Sequence, residues 1–449
     1  VSIEEVEPSI YYDFHVPRYQ NYWACGVFHH NSGKSYFLAT YYLALIKAGI
    51  GVTLIDPHGD LSNLILRLLV QEGNEQTLKD TIYLDFQRAH ERGRYLPLNV
   101  LKQPGDRTRI AQNVKEAFHR AWPSLAGGVA PRFDKLVLNG VKALASANER
   151  LPELSWFLTN LPFRAEVLAH ETDSRVLRHW KHWYDTLTQR QQTEYADSTL
   201  SRVDLLAFDE VLRYSLGHEE LALDFRSVMD RRQNVLLNLS GLADETQRLI
   251  GSLFTVMYEQ AAKGRADTHE RPTHVLMIDE FASFSAQSES AMQKMLSETR
   301  KFGLFLVMAH QNWSQASSKL KGAMGNTKIK VAFQLDREDA EITAMTFADI
   351  DPVTTHTRDG AVGYSKSVAD QIEETVKELM QLPERHALVK FPDLKVNPLV
   401  TEEVKDQHVD TTTIEREQLE RWFKHPTVVL PEPTRPVVKL PIRSRLPQD

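Results

Sequence analysis

The chain has 449 residues, 42% of them hydrophobic and 25% charged, with a formal net charge of −7. That length holds two or three domains with a sizeable core, and the acidic balance excludes a surface coated in nucleic-acid-binding charge, though not a ring with basic residues confined to a central channel. The single cysteine, Cys25, excludes a disulfide framework and a cysteine-based zinc site, and no apolar run reaches the ~18 residues of a membrane helix.

The chain opens on Val1 rather than Met and reads as a piece of a longer product, with a reducing cytoplasm as its expected home. Tyr12-Asp13-Phe14-His15-Val16-Pro17 alternates in strand fashion, and Tyr22-Trp23-Ala24-Cys25-Gly26-Val27-Phe28 is a second short strand candidate with a turn near Gly26. This run ends His29-His30-Asn31, directly before Ser32-Gly33-Lys34-Ser35. A complete phosphate-binding loop has Gly, four residues, then Gly-Lys-Ser/Thr, so that backbone N–H groups wrap a phosphate at a helix N-terminus. Here Phe28 stands where the first glycine belongs. One reading is a β-hairpin running into a degenerate loop. The other is a junction between two segments of different character.

Residues 1–31 resemble the C-terminal splicing region of an intein. The resemblance rests on Tyr12, Asp13, Val16, Asn21, Tyr22, Gly26, His30 and Asn31, with Ser32 as the first residue of the flanking sequence. Gln20 stands where many inteins carry a histidine, and Cys25 replaces the usual Asn. The resemblance implies that Ser32 is a hydroxyl nucleophile, that Asn31 cyclises through its side-chain amide, and that His30 moves a proton in that step, with Asp13 in the same constellation. It also implies that the missing glycines lie on an upstream segment. Such a tail would cleave after Asn31, or act with a separately made N-terminal half.

From Ser32 the pattern becomes that of an α/β protein. A helix-forming run from Tyr36 to Lys47 precedes the apolar strand Gly51 to Ile55 and then Asp56-Pro57-His58-Gly59-Asp60-Leu61. A buried run ending in acidic and glycine residues is the signature of a parallel strand with its loop at the carboxyl edge of a sheet. Asp56 and Asp60 read either as turn and cap residues or as site carboxylates. A helix from Leu61 to Glu72 and a strand from Thr81 to Phe86 continue the rhythm through residue 105, closing the first half of the core.

Residues 106–231 carry amphipathic helices without strands (Arg109 to Trp122, Arg132 to Arg150, Arg175 to Gln192) and read as an inserted all-α domain. Its tryptophans Trp156, Trp180 and Trp183 read as packing residues. Strands resume at Asn234 to Leu239 and at His274 to Ile278, the latter ending Asp279-Glu280; a helix from Asp244 to Lys263 lies between them. A helix from Ser288 to Phe302, a strand from Gly303 ending Ala309-His310-Gln311, and strand candidates at Ile329 to Phe333 and His386 to Lys390 complete the second half, residues 232–400. Residues 401–449 form a charged and then proline-rich tail, expected to be extended.

Lys34 in this pattern would reach the β- and γ-phosphates of a nucleotide, with Ser32 and Gly33 in the loop. Ser35 and Asp279 would hold Mg²⁺, Glu280 would polarise the attacking water, and Gln311 would sense the γ-phosphate. His58 and His310 read as structural. The expected fold is therefore an α/β P-loop NTPase sheet with an inserted all-α domain and a short β segment at its N-terminus.

The span from Ser32 to about Leu399 resembles the conjugative DNA-transfer ATPases, the type IV coupling proteins of the FtsK–HerA superfamily. Ile55-Asp56-Pro57-His58-Gly59-Asp60-Leu61, Ile278-Asp279-Glu280-Phe281, Leu296 to Leu304, Ala309-His310-Gln311 and Asp339-Ala340-Glu341 carry the likeness. It implies a RecA-like sheet with its inserted all-α domain, assembled as a homohexameric motor that uses ATP and Mg²⁺ to move DNA, most naturally single-stranded, with relaxosome or secretion-channel proteins as partners. It also implies a place at the inner face of the cell membrane through a region upstream of the loop. Arg300 matches the position of an arginine finger that acts on a neighbouring subunit's nucleotide; an exposed helix-end arginine is the plainer alternative. Lys319, Lys321, Lys328 and Lys330 form either a DNA-tracking cluster or a solvated face. A HerA-type helicase–translocase, or a chain whose main activity is splicing, remain the competing readings.

Overall fold

The computed structural model describes residues 33–122, 125, 130–281, 295, 298–310, 327–348, 350, 367–392 and 395–426, together with the backbone of four short strands ahead of them. β1 (Ser2–Glu5) pairs antiparallel with β2 (Tyr12–His15), and β3 (Asn21–Ala24) pairs antiparallel with β4 (Val27–His30). The expected strands around Tyr12 and Tyr22 are present, and the register of the second pair sets Asn21 opposite His30. Asn31 and Ser32 lie outside the described residues.

The core is a parallel five-stranded sheet in the order β6-β7-β5-β8-β9. Its members are β5 (Gly51–Asp56), β6 (Thr81–Asp85), β7 (Asn234–Asn238), β8 (His274–Ile278) and β9 (Leu304–Met308). Successive side chains of a strand point to opposite faces, so a continuous apolar run is stable only where both faces are covered. Val52 and Leu54 of β5, Leu236 of β7, and Val275 and Met277 of β8 enter one core with Leu38 and Tyr42 of α1 (Lys34–Lys47) and Leu61 and Ile65 of α2 (Asp60–Glu72). Their neighbours Ile55, Val235, Leu237, Leu276 and Ile278 enter the other core, with the Arg107–Ala121 and Asp244–Gly264 helices. Beneath the sheet the Thr53 hydroxyl donates to the Tyr258 hydroxyl at 2.6 Å and lies 2.9 Å from His274 Nε2.

Helices and no named strand are found among the described residues of 106–231, as expected, and they contribute much of the larger core, including Phe118, Leu136, Phe157 and Trp180. The single helix expected from Arg175 to Gln192 is broken into the Ser174–Lys181 helix, a 3-10 turn at Tyr184–Thr186, and the Gln189–Val203 helix. The reason is local: Thr188 starts a new helix, its side chain accepting from Gln191 N while Gln191 accepts from Thr188 N at 2.9 Å. Trp180 is buried and Trp156 half-buried, and Trp183, although 37% exposed, packs against the rings of His179, Tyr184 and Tyr195.

A second sheet, antiparallel in the order β10-β11-β12, comprises β10 (Lys330–Ala332), β11 (His386–Lys390) and β12 (Val396–Val400). The tail departs further from expectation. Thr412–Trp422 is a helix lying against the β6 edge, with Leu419 and Phe423 buried and the Gln418 side chain accepting from Tyr83 N at 3.3 Å. Phe423 meets Phe86 edge to face with centroids 5.6 Å apart. This part of the tail belongs to the core. The remainder, from residue 427, lies outside the described residues, as do most of the expected Ser288 to Phe302 helix, Lys319 and Lys321.

Candidate nucleotide site at the carboxyl edge of the sheet

α1 begins immediately after Gly33, whose φ of 84° is left-handed and whose Cβ, if it had one, would meet the Arg385 backbone at 3.3 Å. Lys34 and Ser35 occupy the first turn of α1, where amide N–H groups have no helical partner and the helix dipole favours an anion. Lys34 Nζ donates to Asp279 Oδ1 at 3.0 Å and lies 4.0 Å from Glu280 Oε2. The sheet therefore joins the two ends of the predicted constellation.

The turn after β8 fixes the carboxylates. Asp279 N donates to Ile55 O at 3.0 Å, extending the ladder one residue past the strand, and Phe281 N donates to Ala309 O at 3.0 Å. Between them Glu280 adopts φ 48°, an uncommon conformation for a residue with a Cβ, and its N–H donates to Asp279 Oδ1 at 3.0 Å. Both carboxylates are only 6% exposed. A strained residue held by fully paired neighbours is the kind found where a side chain must be aimed.

Asp56 proves to be a turn residue of this edge. It accepts from His58 N at 3.0 Å, Gly59 N at 2.9 Å and Ser62 N at 2.7 Å. Burial nevertheless raises its pKa, the backbone donors of Ser62 and Gly59 opposing and the Asp279 charge adding to the rise. Asp60 is the first residue of α2, where a carboxylate suits the helix dipole.

Sequence reasoning missed the end of β7. Asn238 donates to the Tyr83 hydroxyl and to Asp85 Oδ2, each at 3.2 Å, and its side-chain oxygen accepts from Ser240 N at 3.0 Å. Gly59 packs onto this group: a Cβ there would sit 2.6 Å from Ser240 Oγ. The available signal was the apolar run closing on Asn238-Leu239-Ser240-Gly241, the same grammar as β5 and β8. Arg385, with φ 62° and its backbone against Gly33, was also missed.

Arg300 is exposed, in the 3-10 turn Thr299–Phe302 that precedes β9. β8 and β9 run parallel with His274 opposite Leu304 and Ile278 opposite Met308. Arg300 is thus at the amino edge, and a five-residue strand of about 3.3 Å per residue separates it from the carboxyl edge where Lys34 and Asp279 meet. It serves no part of its own chain's site. Gln311 lies outside the described residues, two positions beyond Ala309, whose N–H donates to Ile278 O at 3.0 Å. Of the lysine cluster, Lys330 is half-buried and directly opposite Lys390, and burial with that neighbouring charge lowers its pKa.

Among the described residues no group of His, Cys, Asp and Glu side chains is placed to hold a metal ion by itself, and no helix is long and apolar enough to cross a membrane. Ser35 and Asp279 suit Mg²⁺, which keeps waters and binds through one or two carboxylates plus substrate phosphates.

A family model described as the TraM recognition site of TraD and TraG matches residues 273–388. No curated protein matches the chain. Among solved structures, the plasmid coupling protein TrwB with the ATP analogue ADPNP is similar at 15% identity and TM-score 0.56, the match covering 84% of each chain. TrwB with ADP and Mg²⁺ is similar at 14% identity and TM-score 0.55, again over 84% of each. VirB4 of Thermoanaerobacter pseudethanolicus follows at 13% identity and TM-score 0.54, over 84% of this chain and 88% of that one. The fold is that of these proteins: a RecA-like P-loop NTPase sheet carrying an all-α domain.

Proposed function

We propose that the chain is the larger part of an ATP-driven motor of the coupling-protein type, which moves single-stranded DNA in conjugation or type IV secretion. The observation that carries this is the Lys34 ammonium held between Asp279 and Glu280 at the first turn of α1. ATP and Mg²⁺ fit there: Gly33, Lys34 and Ser35 meet the phosphates, Ser35 and Asp279 hold the ion, and the bound pair supplies the phosphoryl group and its charge neutralisation. Glu280 orients and deprotonates the attacking water, and Gln311 senses the γ-phosphate. Arg300, remote from its own site, serves a neighbouring copy, which favours a ring such as a homohexamer. The match over residues 273–388 and the likeness to TrwB support relaxosome proteins as partners, and an upstream region would hold the ring at the inner face of the membrane.

The same proposal takes residues 1–31 as an intein tail joined at Ser32. A phosphate-binding loop is fed by a strand, and β9, at the sheet edge, has Phe305 39% exposed in an otherwise covered parallel sheet. Both facts support a strand and its glycines being supplied from upstream. His30, Asn31 and Ser32, with Asp13, then carry the cleavage chemistry, and the nucleotide roles of Lys34 and Ser35 follow once the loop is complete.

The test replaces residues 1–31 by a strand and loop bearing the first glycine, fused to Ser32. This protein should hydrolyse ATP with stimulation by single-stranded DNA. Hydrolysis should vanish in Lys34→Ala and in Glu280→Gln; activity retained in either would sink the site assignment.

A further inference from the structure

The all-α domain carries a groove of about 420 Å³ lined by Lys135, Asn139, Arg175, Arg178, His179 and Trp183. That volume is within the range of about 300–1,000 Å³ typical of ligand sites. Lys135 and Asn139 lie one turn apart on the Pro131–Ser146 helix, and Arg175 and Arg178 one turn apart on the Ser174–Lys181 helix. The two helices are fastened below the groove by the buried Trp180, whose indole N–H donates to Asn139 O at 3.3 Å.

In a chain of net charge −7 these cations should find carboxylate partners easily, yet four carboxylates of the same helical region are engaged with other cations. Asp173 is held by Lys142 at 2.7 Å, Asp134 by His119 at 2.6 Å, Asp185 by Arg164 at 2.8 Å, and Glu194 by Arg190 at 2.9 Å. Lys135, Arg175 and Arg178 form no ion pair among the described residues.

The aromatic side of the groove is partly open to solvent. Trp183 is 37% exposed, with the His179 ring 5.0 Å away at 35° and Tyr195 edge-on at 4.8 Å. Arg132 lies over the Tyr195 ring at 5.4 Å, so the cationic surface continues past the groove. His179 Nε2 is buried without a hydrogen-bond partner. Burial and the Lys135 charge lower the His179 pKa to about 4, so near neutral pH the ring is uncharged and able to donate or accept.

We propose that this groove binds single-stranded nucleic acid, with phosphates on Lys135, Arg175 and Arg178 and a base stacked on Trp183. An acidic peptide would meet the cations but leave Trp183 and His179 unused, whereas a nucleotide offers both an anion and a π-face. A duplex hides its base faces in the stack. The inference deepens the motor reading by giving the polymer a place on the all-α domain, and it rests on that reading only for the choice of polymer.

The test is a salt titration, on the full chain, of the anisotropy of a fluorescein-labelled oligothymidylate. Arg175→Gln with Arg178→Gln should weaken binding and flatten the log K against log salt slope by about 1.4, at about 0.7 per single-strand phosphate contact. Trp183→Ala should weaken binding about fivefold or more with the slope unchanged, and Trp183→Phe should recover most of it. An oligonucleotide carrying 5-iodouracil should photocrosslink to the peptide containing Trp183. Unchanged affinity and slope in the arginine variant would overturn the proposal. So would displacement of the oligonucleotide by polyglutamate with no effect of Trp183→Ala, which would assign the groove to an acidic protein. ATP hydrolysis, read separately in the fused protein, tests the motor reading without touching these residues.

Discussion

Lys34 Nζ and Asp279 Oδ1 lie 3.0 Å apart, although 245 positions separate them in sequence. The contact exists because β5 and β8 are paired neighbours and α1 runs back over that face of the sheet to start at its carboxyl edge. Without nucleotide the lysine neutralises two buried carboxylates; a bound phosphate would take it over.

Lys34→Ala should therefore do more than abolish nucleotide binding. It leaves Asp279 and Glu280, each 6% exposed, without their shared cation. Stranding a buried charge costs about 3–5 kcal/mol in a dry site, and the partial exposure of Lys34 brings the expectation down to about 2 kcal/mol. Urea denaturation of the nucleotide-free protein should show this loss. An unchanged midpoint would mean that the pair contributes nothing to folding.

Gly59→Ala should disturb the opposite lip of the site. The position has φ 84°, and the added methyl would lie 2.6 Å from Ser240 Oγ and 2.8 Å from Asn238 Oδ1. The backbone cost alone is about 1–2 kcal/mol, and displacement of the Asn238 group adds to it. The expected result is a lower thermal midpoint with weakened nucleotide binding in the fused protein. Gly73→Ala, also at positive φ but with open space around it, should show only the backbone cost.

Much of this architecture was legible because each core strand is an apolar run closed by polar or glycine residues, which only a sheet covered on both faces explains. Asp279 and Glu280 were legible for the same reason. Asn238 was not: one amide at a strand end looks like any turn, and its value comes from Asp85 and Tyr83, which the topology brings to it. The Thr412–Trp422 helix was hidden by composition, since Ile414 and Leu419 are almost its only aliphatic residues and the rest reads as solvated charge. The basic groove was invisible because Lys135 lies on one helix and Trp183 in the turn after another, and nothing in the sequence announces that the two meet.

Phe423→Ala should show that residues 401–426 are part of the core. The ring is 1% exposed, edge-on to Phe86, and the adjoining Lys424 N–H donates to Tyr95 O at 2.9 Å. Truncating a buried phenylalanine costs about 3–5 kcal/mol. Truncation of the chain after Val400 should cost at least as much. Chemical denaturation of both variants distinguishes this from an extended tail, for which neither change would matter.

Acid should weaken the fold through His274. Burial, with the Arg265 charge adding, lowers its pKa to about 3 from an ordinary value near 6.5. The unfolded chain therefore takes up a proton that the folded chain refuses. The stability tied to the neutral ring is present above about pH 6.5 and is lost as pH falls toward 3, by at most about 1.4 kcal/mol per unit. The slope of unfolding free energy between pH 6 and pH 4 should flatten by up to that amount in His274→Gln; an identical slope would remove His274 as its source.

Arg300→Ala separates a finger that serves a neighbour from an ordinary surface arginine. Arg300 sits at the amino edge of the sheet, across the length of β9 from Lys34, so it cannot reach its own chain's phosphates. In the fused protein the variant should bind nucleotide normally yet lose most hydrolysis, since a finger arginine contributes about 10³–10⁵ in rate. Mixing it with Lys34→Ala subunits, which lack a working site but keep Arg300, should restore activity wherever an intact arginine faces an intact site. A variant that hydrolyses ATP normally alone would leave Arg300 as a solvated helix-end residue. Activity lost alone and unrestored by mixing would place its effect within the chain, against the geometry that sets it apart from Asp279.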